Sequence, residues 1–404
     1  MDDVQDVKKL LSSCKDSMLF WQFTSDMAKK INPIVTESTM SYISKGNYNT
    51  YKYALKPAPE YLESLSSFLS KCYGESVLSS TLTATYGSSF GFMFIMSHFL
   101  EKGDYVFVED LTFPLCIRSS KEFSLNVESV CCDLDGIDVI ELEMKLKECR
   151  AKCSREVSEK KPYWAIIFLM TVVHNPKGTI YSEHRSKKVI ELARKYNVLV
   201  VADDIYNYYQ YDGDTNTKRL VAYDDPSDAD YGKGHVISNG SLSKILFPSL
   251  RLGWLETSPW IIKQLETAPD YFSGGSYNYF NQGLAAAILN HPRFPDFFEE
   301  AKNHYSRFMK LSCEYLEKHL PKEVTLNKPK GGFVLWLELP ENYSSHVLVK
   351  RLEKYGMSVW PGDNFSPSKA YTNCFRICVT NYPEKDLLLA LEVLCKEITS
   401  MLHD

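Results

Sequence analysis

The 404-residue sequence predicts an α/β fold, in which a large and mostly parallel sheet lies between helices and a smaller α+β domain follows. Short apolar segments that are typical of buried strands alternate with helical segments through the middle of the chain. Strands separated by helices pair in parallel and are covered on both faces. In the last third, an alternating strand between helices predicts the smaller domain.

The strands of the large sheet are predicted from short apolar segments, which are residues 104–109, 164–173, 198–202, 235–238 and 251–256. A helix is predicted over residues 182–196, because the apolar residues there form one face among basic ones. Another is predicted from residue 88 to about 102, ended by Gly103. Ligands of such sheets bind in the loops at the carboxyl ends of the strands.

The last third predicts a different arrangement of elements. They are a helix over about 293–319, a strand over 331–338, a helix over about 345–355, a strand around 375–379 and a terminal helix over about 384–402. We therefore expect a large domain over residues 51–290 and a small domain over 291–404. We expect residues 1–50 to fold back on the small domain.

Composition and charge exclude several classes of function. The chain has 46 basic and 51 acidic residues and a net charge of −5, so it is not expected to bind nucleic acid through bulk positive charge. The longest apolar run, residues 164–173, is shorter than the roughly 20 residues of a membrane helix. The N-terminus, MDDVQDVKK, has the features of neither a signal peptide nor a mitochondrial presequence. We expect a cytoplasmic protein that does not bind membranes.

The eleven cysteines show no zinc-binding spacing, so we predict free thiols and no metal site.

The most informative segment is SNGSLSKILFPSLRLGW, residues 238–254. In this segment Lys244 follows a strand, and a lysine at the end of a buried strand can lose its proton and form a Schiff base with a carbonyl compound. Ser241, Ser243 and Arg251 could bind a phosphate nearby. Considered alone, the segment would be better explained by a solvated surface lysine and a salt-bridged arginine.

Other strand ends carry polar residues that fit the same chemistry. Asp203 and Asp204 end an apolar strand, where a buried carboxylate needs a cationic partner such as a protonated pyridine nitrogen. The turn HNPKG exposes Asn175 after another strand. The sequence YGSS places Gly87 and Ser88 at the start of a helix, where free backbone N–H groups bind phosphate.

Together these segments resemble the fold-type I pyridoxal-phosphate enzymes, specifically the class I/II aminotransferases. The SLSK segment with its R-x-GW ending, the NP-x-G turn and the D-x-x-Y strand end occur in that family's order, and the resemblance covers roughly residues 40–400. The phrases VEDLTF and PSLRLGW resemble most the branch of 2-aminoadipate, aromatic and branched-chain aminotransferases. The resemblance implies a large domain with a seven-stranded sheet that binds pyridoxal 5'-phosphate.

The resemblance also assigns catalytic roles. Lys244 matches the lysine that forms the Schiff base with the cofactor and then moves the proton between the substrate and the cofactor. Asp203 matches the acid that keeps the pyridine nitrogen protonated, with Asp204 as the alternative. Tyr206 and Asn175 match the hydrogen-bond donors to the phenolate oxygen of the ring.

Further matches concern binding. Phosphate contacts are expected from Gly87, Ser88, Ser89, Ser241 and Arg251, whereas Ser243 is expected to point away. Phe113 matches the aromatic residue that stacks on the ring, although plain core packing would also explain it. Arg376, with Asn175, matches the site for the substrate carboxylate. Tyr53 matches a tyrosine that reaches the phosphate of the other subunit, so the resemblance implies a homodimer with shared active sites.

The predicted function is therefore transamination between an amino acid and a 2-oxo acid through two half-reactions. The same scaffold also supports lyases, decarboxylases and synthases, and these remain alternatives. A regulatory module that binds the cofactor without catalysis is a further alternative, which the absence of a basic recognition helix disfavours.

Overall fold

The computed structural model describes residues 18, 24–46, 54, 56–211, 217–272 and 276–404. Its strands are β1 Leu82–Thr85, β2 Tyr105–Glu109, β3 Asn126–Val130, β4 Cys132–Asp133, β5 Gly136–Ile137, β6 Ala165–Leu169, β7 Leu199–Asp203, β8 Val236–Ser241, β9 Gly253–Thr257, β10 Thr325–Asn327, β11 Val334–Glu338, β12 Trp360–Pro361 and β13 Cys374–Cys378. Seven of them form the large sheet, in the order β1-β9-β8-β7-β6-β2-β3.

The large sheet is mostly parallel, as predicted. Strands β3, β2, β6, β7 and β8 pair in parallel, while β9 runs antiparallel to both β8 and β1. Because parallel strands end at the same edge of a sheet, the loops after β6, β7 and β8 lie side by side. These loops follow the strands that the sequence identified, so the fold brings the predicted site residues to one edge.

The helices of the structure are α1 Ser25–Ser44, α2 Pro59–Tyr73, α3 Ser88–Phe99, α4 Pro114–Glu122, α5 Val139–Lys152, α6 Glu183–Tyr196, α7 Pro259–Leu265, α8 Pro269–Phe272, α9 Tyr279–Leu289, α10 Phe294–His319, α11 Ser345–Leu352 and α12 Glu384–His403. Helix α6 begins one residue after Ser182, whose side chain accepts a hydrogen bond from the backbone of Arg185 and so caps the helix. It ends at Asn197 in the left-handed conformation.

Each face of the large sheet is covered by its own apolar core. Along β6, Ile166 and Phe168 pack on one face with residues of α3, whereas Ile167 and Leu169 pack on the other face with residues of α5 and α6. Strands buried on both faces read as continuous apolar runs, which is why the sequence shows β6 and β7 so clearly. The sheet is therefore a rigid platform for the loops at its edge.

A second sheet has the antiparallel order β10-β11-β13-β12 and packs against α11, α12 and the second half of α10. Helix α10 joins the two cores, because Phe294 and Tyr305 pack in the core beside α1 and α2 while Phe308 and Leu316 pack in the core of the second sheet. The division near residues 50 and 290 stays a prediction.

The N-terminal part of the chain touches both cores. The backbone oxygen of Met18 accepts a hydrogen bond of 2.7 Å from Cys378 in β13, and its side chain lies in the core of the second sheet. Helix α1 instead packs on α9 and α10 through Met27, Ile31 and Ile34.

Several predicted boundaries differ from the observed ones at the edge that carries the loops. Strand β6 ends at Leu169 rather than at 173, and Val173 adopts the left-handed conformation. Strand β11 begins at Val334 because Gly332 also has a positive φ. Helix α3 ends at Phe99, where Leu100 is already extended. No helix among the described residues is long and apolar enough to cross a membrane.

Candidate active site

Most of the predicted site residues meet in one cavity of about 550 Å³ at the carboxyl edge of the large sheet. Its walls are Ser88, Ser89, Phe113, Leu115, Arg118, Asn175, Ile205, Tyr206, Ser241, Ser243, Lys244, Pro248, Arg251, Val334, Trp360 and Arg376. Asp203 faces a small adjoining pocket that shares four wall residues with this cavity, Ser88, Ser89, Phe113 and Leu115. Tyr53 lies outside the described residues.

An anion cradle lies at the start of helix α3. Gly87 precedes the helix with a φ of +91°, and a Cβ atom placed on it would lie 3.4 Å from Nη2 of Arg251 and 3.5 Å from Oγ of Ser241. The glycine thus leaves open a space surrounded by a guanidinium, a hydroxyl and the N-terminus of a twelve-residue helix. Such a set of donors suits a phosphate group.

Arg251 is held in place by backbone oxygens. Its Nη1 donates to the oxygen of Pro248 at 3.1 Å and its Nη2 to that of Tyr86 at 3.2 Å. These bonds orient the guanidinium at the exposed rim of the cradle and leave its charge uncompensated by any carboxylate among the described residues. The charge is therefore available to an anion.

Asp203 ends strand β7 and is 5% exposed. Its Oδ1 has no hydrogen-bond partner within the described part of the chain. Burial, with a smaller contribution from the neighbouring Asp204, raises its pKa to about 8. A buried carboxyl group in this state is stabilised by a cationic partner, so the position fits a protonated ring nitrogen.

The two adjacent acids are distinguished by their surroundings. Asp204 is fully buried and accepts a hydrogen bond of 2.5 Å from Oγ of Ser238 on the neighbouring strand. Its backbone N–H donates to the oxygen of Asn239. One carboxylate oxygen of Asp204 is thus engaged inside the sheet, while its Oδ1, like that of Asp203, has no hydrogen-bond partner among the described residues. Of the two acids, Asp203 is the one that lines the pocket. This geometry supports the choice of Asp203 over Asp204.

Lys244 lies three residues after the end of β8, in the turn that leads into the cavity. Burial lowers the pKa of its amine to about 8, Cys378 opposes this shift and the nearby Arg376 adds to it. The hydroxyl of Tyr209 donates to the backbone oxygen of Lys244 at 2.6 Å and so fixes the turn. About a tenth of this amine is therefore neutral at pH 7, far more than for an ordinary lysine, and the neutral form is the nucleophile.

Arg376 and Asn175 form the other end of the cavity. Arg376 lies on β13, is 4% exposed, and its Nη1 donates to Oδ1 of Asn175 at 3.1 Å. Burial lowers the pKa of this guanidinium, which nonetheless remains a cation at any physiological pH. Its central carbon lies 4.6 Å from the centre of the Trp360 ring, close enough for a cation–π contact.

Tyr206 and Phe113 complete the predicted set. Tyr206 is buried, packs edge-on against Phe333 and lines the cavity. Because burial raises the pKa of its phenol, the hydroxyl stays protonated and can donate a hydrogen bond. Phe113 is half-buried at the start of helix α4 and faces both the cavity and the pocket of Asp203. This position supports a stacking role over simple core packing.

Ser243 does not point away as predicted. The backbone leaves the strand geometry after Ser241, so the alternation on which the prediction relied ends there. The hydroxyl of Ser241 donates to that of Ser243 at 3.0 Å, and both line the cavity.

The sequence reasoning also missed Trp360 and Asn239. Trp360 pairs directly with Arg376 in the antiparallel register, which no local pattern reveals. The side chain of Asn239 donates to the backbone oxygen of Ser88 at 2.9 Å and ties helix α3 to the sheet. Its position directly after the predicted strand of residues 235–238 was the available signal.

The fold and this site define a class of enzyme, and comparison with known proteins identifies the family. The sequence model of the family "Aminotransferase class I and II" matches residues 29–394. The chain therefore belongs to this family and is an aminotransferase, as the sequence predicted.

Comparisons with individual proteins support this assignment to the family. The chain is 26% identical to aromatic-amino-acid aminotransferase 1 of Thermococcus litoralis over 334 residues, which are 83% of this chain and 76% of that protein. The crystal structure of Pyrococcus horikoshii kynurenine aminotransferase in complex with PMP is similar, with 25% identity, a TM-score of 0.82 and coverage of 100% of this chain and 95% of that one. The fold also matches LysN, the alpha-aminoadipate aminotransferase of Thermus thermophilus, at 20% identity, a TM-score of 0.79 and coverage of 100% and 98%.

Proposed function

We propose that this aminotransferase uses pyridoxal 5'-phosphate, bonded to Lys244, to move an amino group between an L-amino acid and a 2-oxo acid in two half-reactions. When bound, this cofactor supplies an aldehyde that takes up the amino group and a pyridine ring that accepts electrons. One observation carries the proposal. The buried carboxyl group of Asp203, which has no hydrogen-bond partner at Oδ1 among the described residues, adjoins the cavity of Lys244.

The remaining cavity residues fit the other parts of the cofactor. Gly87, Ser88, Ser89, Ser241 and Arg251 would hold the phosphate at the start of helix α3, where the helix dipole and the open cradle favour an anion. This group of residues provides backbone, hydroxyl and guanidinium donors and no competing carboxylate.

The ring would be held between polar and aromatic groups. Asp203 would keep the ring nitrogen protonated, and Tyr206 and Asn175 would donate hydrogen bonds to the ring oxygen. Tyr206 can do so because its raised pKa keeps the phenol protonated. Phe113 would stack on the ring, where an offset aromatic contact is favourable.

Lys244 and Arg376 would act on the substrate. The bidentate guanidinium of Arg376, oriented by Asn175 and Trp360, would bind the α-carboxylate. The neutral amine of Lys244 would take the proton from the α-carbon of the substrate and hold it at Nζ until it is returned.

The test is a colour cycle with purified holoenzyme. Wild-type protein should be yellow, should lose the colour when an amino donor such as 2-aminoadipate or an aromatic amino acid is added, and should recover it with a 2-oxo acid. Lys244→Ala should lose the cycle, whereas Lys263→Ala, on the exposed face of helix α7, should keep it. Wild-type protein that binds no cofactor would refute the proposal.

The same experiment separates transamination from lyase, decarboxylase and synthase chemistry. A transaminase returns one 2-oxo acid for each amino acid consumed and releases neither ammonia nor carbon dioxide. Release of either in the first half-reaction would show a different reaction on the same scaffold.

We also propose that the chain works in the cytoplasm as a homodimer on small-molecule substrates, without nucleic acid or membrane partners. Large apolar side chains are exposed at Tyr86, Phe90 and Leu115; the first two are in edge-on contact, and Leu115 lines the cavity. Exposed apolar clusters of this kind mark protein contacts. Light scattering should give twice the 46.4 kDa mass of the chain, and Phe90→Glu should lower that value.

A further inference from the structure

One buried histidine beside the cavity has no part in the proposed mechanism. His174 directly precedes Asn175 and is 4% exposed, and it is not among the described residues that line the cavity. An imidazole that is removed from water needs a partner at each ring nitrogen, because an unpaired buried polar group is costly. The partners of His174 therefore indicate what the side chain does.

The two ring nitrogens of His174 have partners of opposite kinds. The backbone N–H of Lys177 donates to Nδ1 at 3.3 Å. Nε2 lies 2.9 Å from the backbone oxygen of Leu111, which can only accept a hydrogen bond. Both contacts exist at once only in the neutral imidazole that carries its proton on Nε2. The ring thus accepts a hydrogen bond from its own turn and donates one to the loop after strand β2.

A buried carboxyl group fixes the orientation of this imidazole. Oε2 of Glu109, at the end of strand β2, lies 3.4 Å from Nε2 of His174. The carboxyl group is itself held by the backbone N–H of Met170 at 3.1 Å and by the hydroxyl of Tyr181 at 2.7 Å. Glu109 is 1% exposed. A carboxylate or carbonyl oxygen beside one ring nitrogen determines which nitrogen carries the proton, so Nδ1 is left as the acceptor.

The turn that Nδ1 holds is the one that carries Asn175. A backbone hydrogen bond of 2.5 Å from Gly178 to the oxygen of His174 closes this turn. Lys177, inside the turn, donates its N–H to the imidazole instead. The side chain of Asn175 projects from the same segment, and its Oδ1 accepts the 3.1 Å hydrogen bond from Arg376. The imidazole therefore lies behind the segment whose side chain enters the cavity.

We propose that His174 is a positioning residue, which holds the turn through Nδ1 so that the amide of Asn175 reaches both Arg376 and the ring oxygen of the cofactor. This inference rests on the proposed function, in which Asn175 donates a hydrogen bond to that oxygen. The contacts of Nε2 with Leu111 and Glu109 keep the imidazole in the orientation that this role needs.

Two substitutions separate the roles of the ring nitrogens. His174→Asn places a carbonyl oxygen near the position of Nδ1 and removes the donor at Nε2, whereas His174→Gln places an amide near Nε2 and removes the acceptor at Nδ1. Both keep a polar side chain at the same buried position, so a general loss of stability should affect them alike. Tyr163→Phe is the control for stability, because it removes a buried hydrogen bond of 2.8 Å to Gly234 at the opposite end of strand β6.

The first measurement is amide hydrogen exchange in the cofactor-free protein, followed by mass spectrometry of the peptide that contains Lys177. Wild type, His174→Asn and Tyr163→Phe should protect this amide, and His174→Gln should exchange it several-fold faster. An amide of Lys177 that exchanges freely in wild type would overturn the inference. This result does not depend on the proposed function.

The second measurement is the pH at which the holoenzyme loses its yellow colour. A hydrogen bond to the ring oxygen stabilises its negative charge, so the nitrogen that joins Lys244 to the cofactor gives up its proton at a lower pH. His174→Gln should raise the midpoint of this colour change by roughly one pH unit, the size of one lost hydrogen bond. His174→Asn and Tyr163→Phe should keep the midpoint of wild type.

The outcomes distinguish this inference from the proposed function. If wild type completes the colour cycle but the midpoint is unchanged in His174→Gln, or moves equally in His174→Asn, the inference is overturned and the proposed function stands. If wild type binds no cofactor, the proposed function fails, and with it the role of His174 toward the ring oxygen.

Discussion

The substitution Asp203→Asn tests the proposed role of Asp203 without any turnover. In the protein without cofactor, Asp203 is a buried carboxyl group whose pKa burial raises from 3.8 to about 8. Asparagine has nearly the same shape but never ionises. The variant should therefore differ from wild type only where the wild-type carboxyl group titrates.

The size of the effect follows from this shift. Below about pH 4 the carboxyl group of Asp203 is protonated in both the folded and the unfolded chain, so it does not change the free energy of unfolding. Between about pH 4 and pH 8 the unfolded chain loses the proton and the folded chain keeps it, so the free energy of unfolding of the wild type falls by about 1.4 kcal/mol per pH unit. Near pH 8 this loss of unfolding free energy reaches the order of 5 kcal/mol.

The assay is urea denaturation of cofactor-free protein at several pH values between about 5 and 8, across the window that the shift defines. The free energy of unfolding of Asp203→Asn should exceed that of wild type by a margin that grows with pH. Asp296→Asn, at an exposed carboxyl group, is the control and should follow wild type.

Adding pyridoxal phosphate should reduce this difference between the two proteins. The ring nitrogen supplies the positive charge that the buried carboxylate needs, so wild type should gain more stability from the cofactor than Asp203→Asn does. If the two proteins change in parallel with pH and gain equally from the cofactor, Asp203 does not face the ring nitrogen.

Three further predictions follow from the site. The rate at which cofactor-free protein takes up pyridoxal phosphate should rise through about pH 8, where the buried Lys244 amine loses its proton; a rise only near 10.5, the ordinary lysine value, would contradict the lowered pKa. Gly178→Ala should lower the thermal midpoint of unfolding more than Gly103→Ala does. Both glycines have a positive φ, but a Cβ atom at Gly178 would lie 2.2 Å from a side-chain atom of Pro329, whereas one at Gly103 would meet nothing within 4 Å. Trp360→Leu should raise KM for the amino donor several-fold by removing the ring beside Arg376, a contact of about 0.5–2 kcal/mol, with cofactor affinity unchanged.

Much of the fold could be predicted because buried parallel strands leave a direct record in the sequence. Strands β6 and β7 are buried at every residue, so their apolar runs identify them, and polar residues that directly follow such runs must lie at the carboxyl edge. This reasoning reached Asp203, Asn175 and Lys244. The family motif then supplied the roles that the strand ends alone could not.

The missed residues depend on contacts between distant segments. Trp360 reaches Arg376 only through the register of β12 and β13, and β12 is a two-residue strand with no periodicity to detect. Arg118 reads as an ordinary exposed arginine, and only the position of helix α4 beside the cavity shows what it faces. The prediction that Ser243 points away was wrong because it continued the side-chain alternation of strand β8 into the turn that follows.

The central claim is that Lys244 bonds to the cofactor, and its most direct test is to fix that bond. Borohydride reduction of the yellow holoenzyme makes the link between an amine and pyridoxal phosphate permanent, and peptide mapping by mass spectrometry then locates it. We predict the label on the peptide that contains Lys244, with none in Lys244→Ala. A label on another lysine, or none in the wild type, would contradict the assignment.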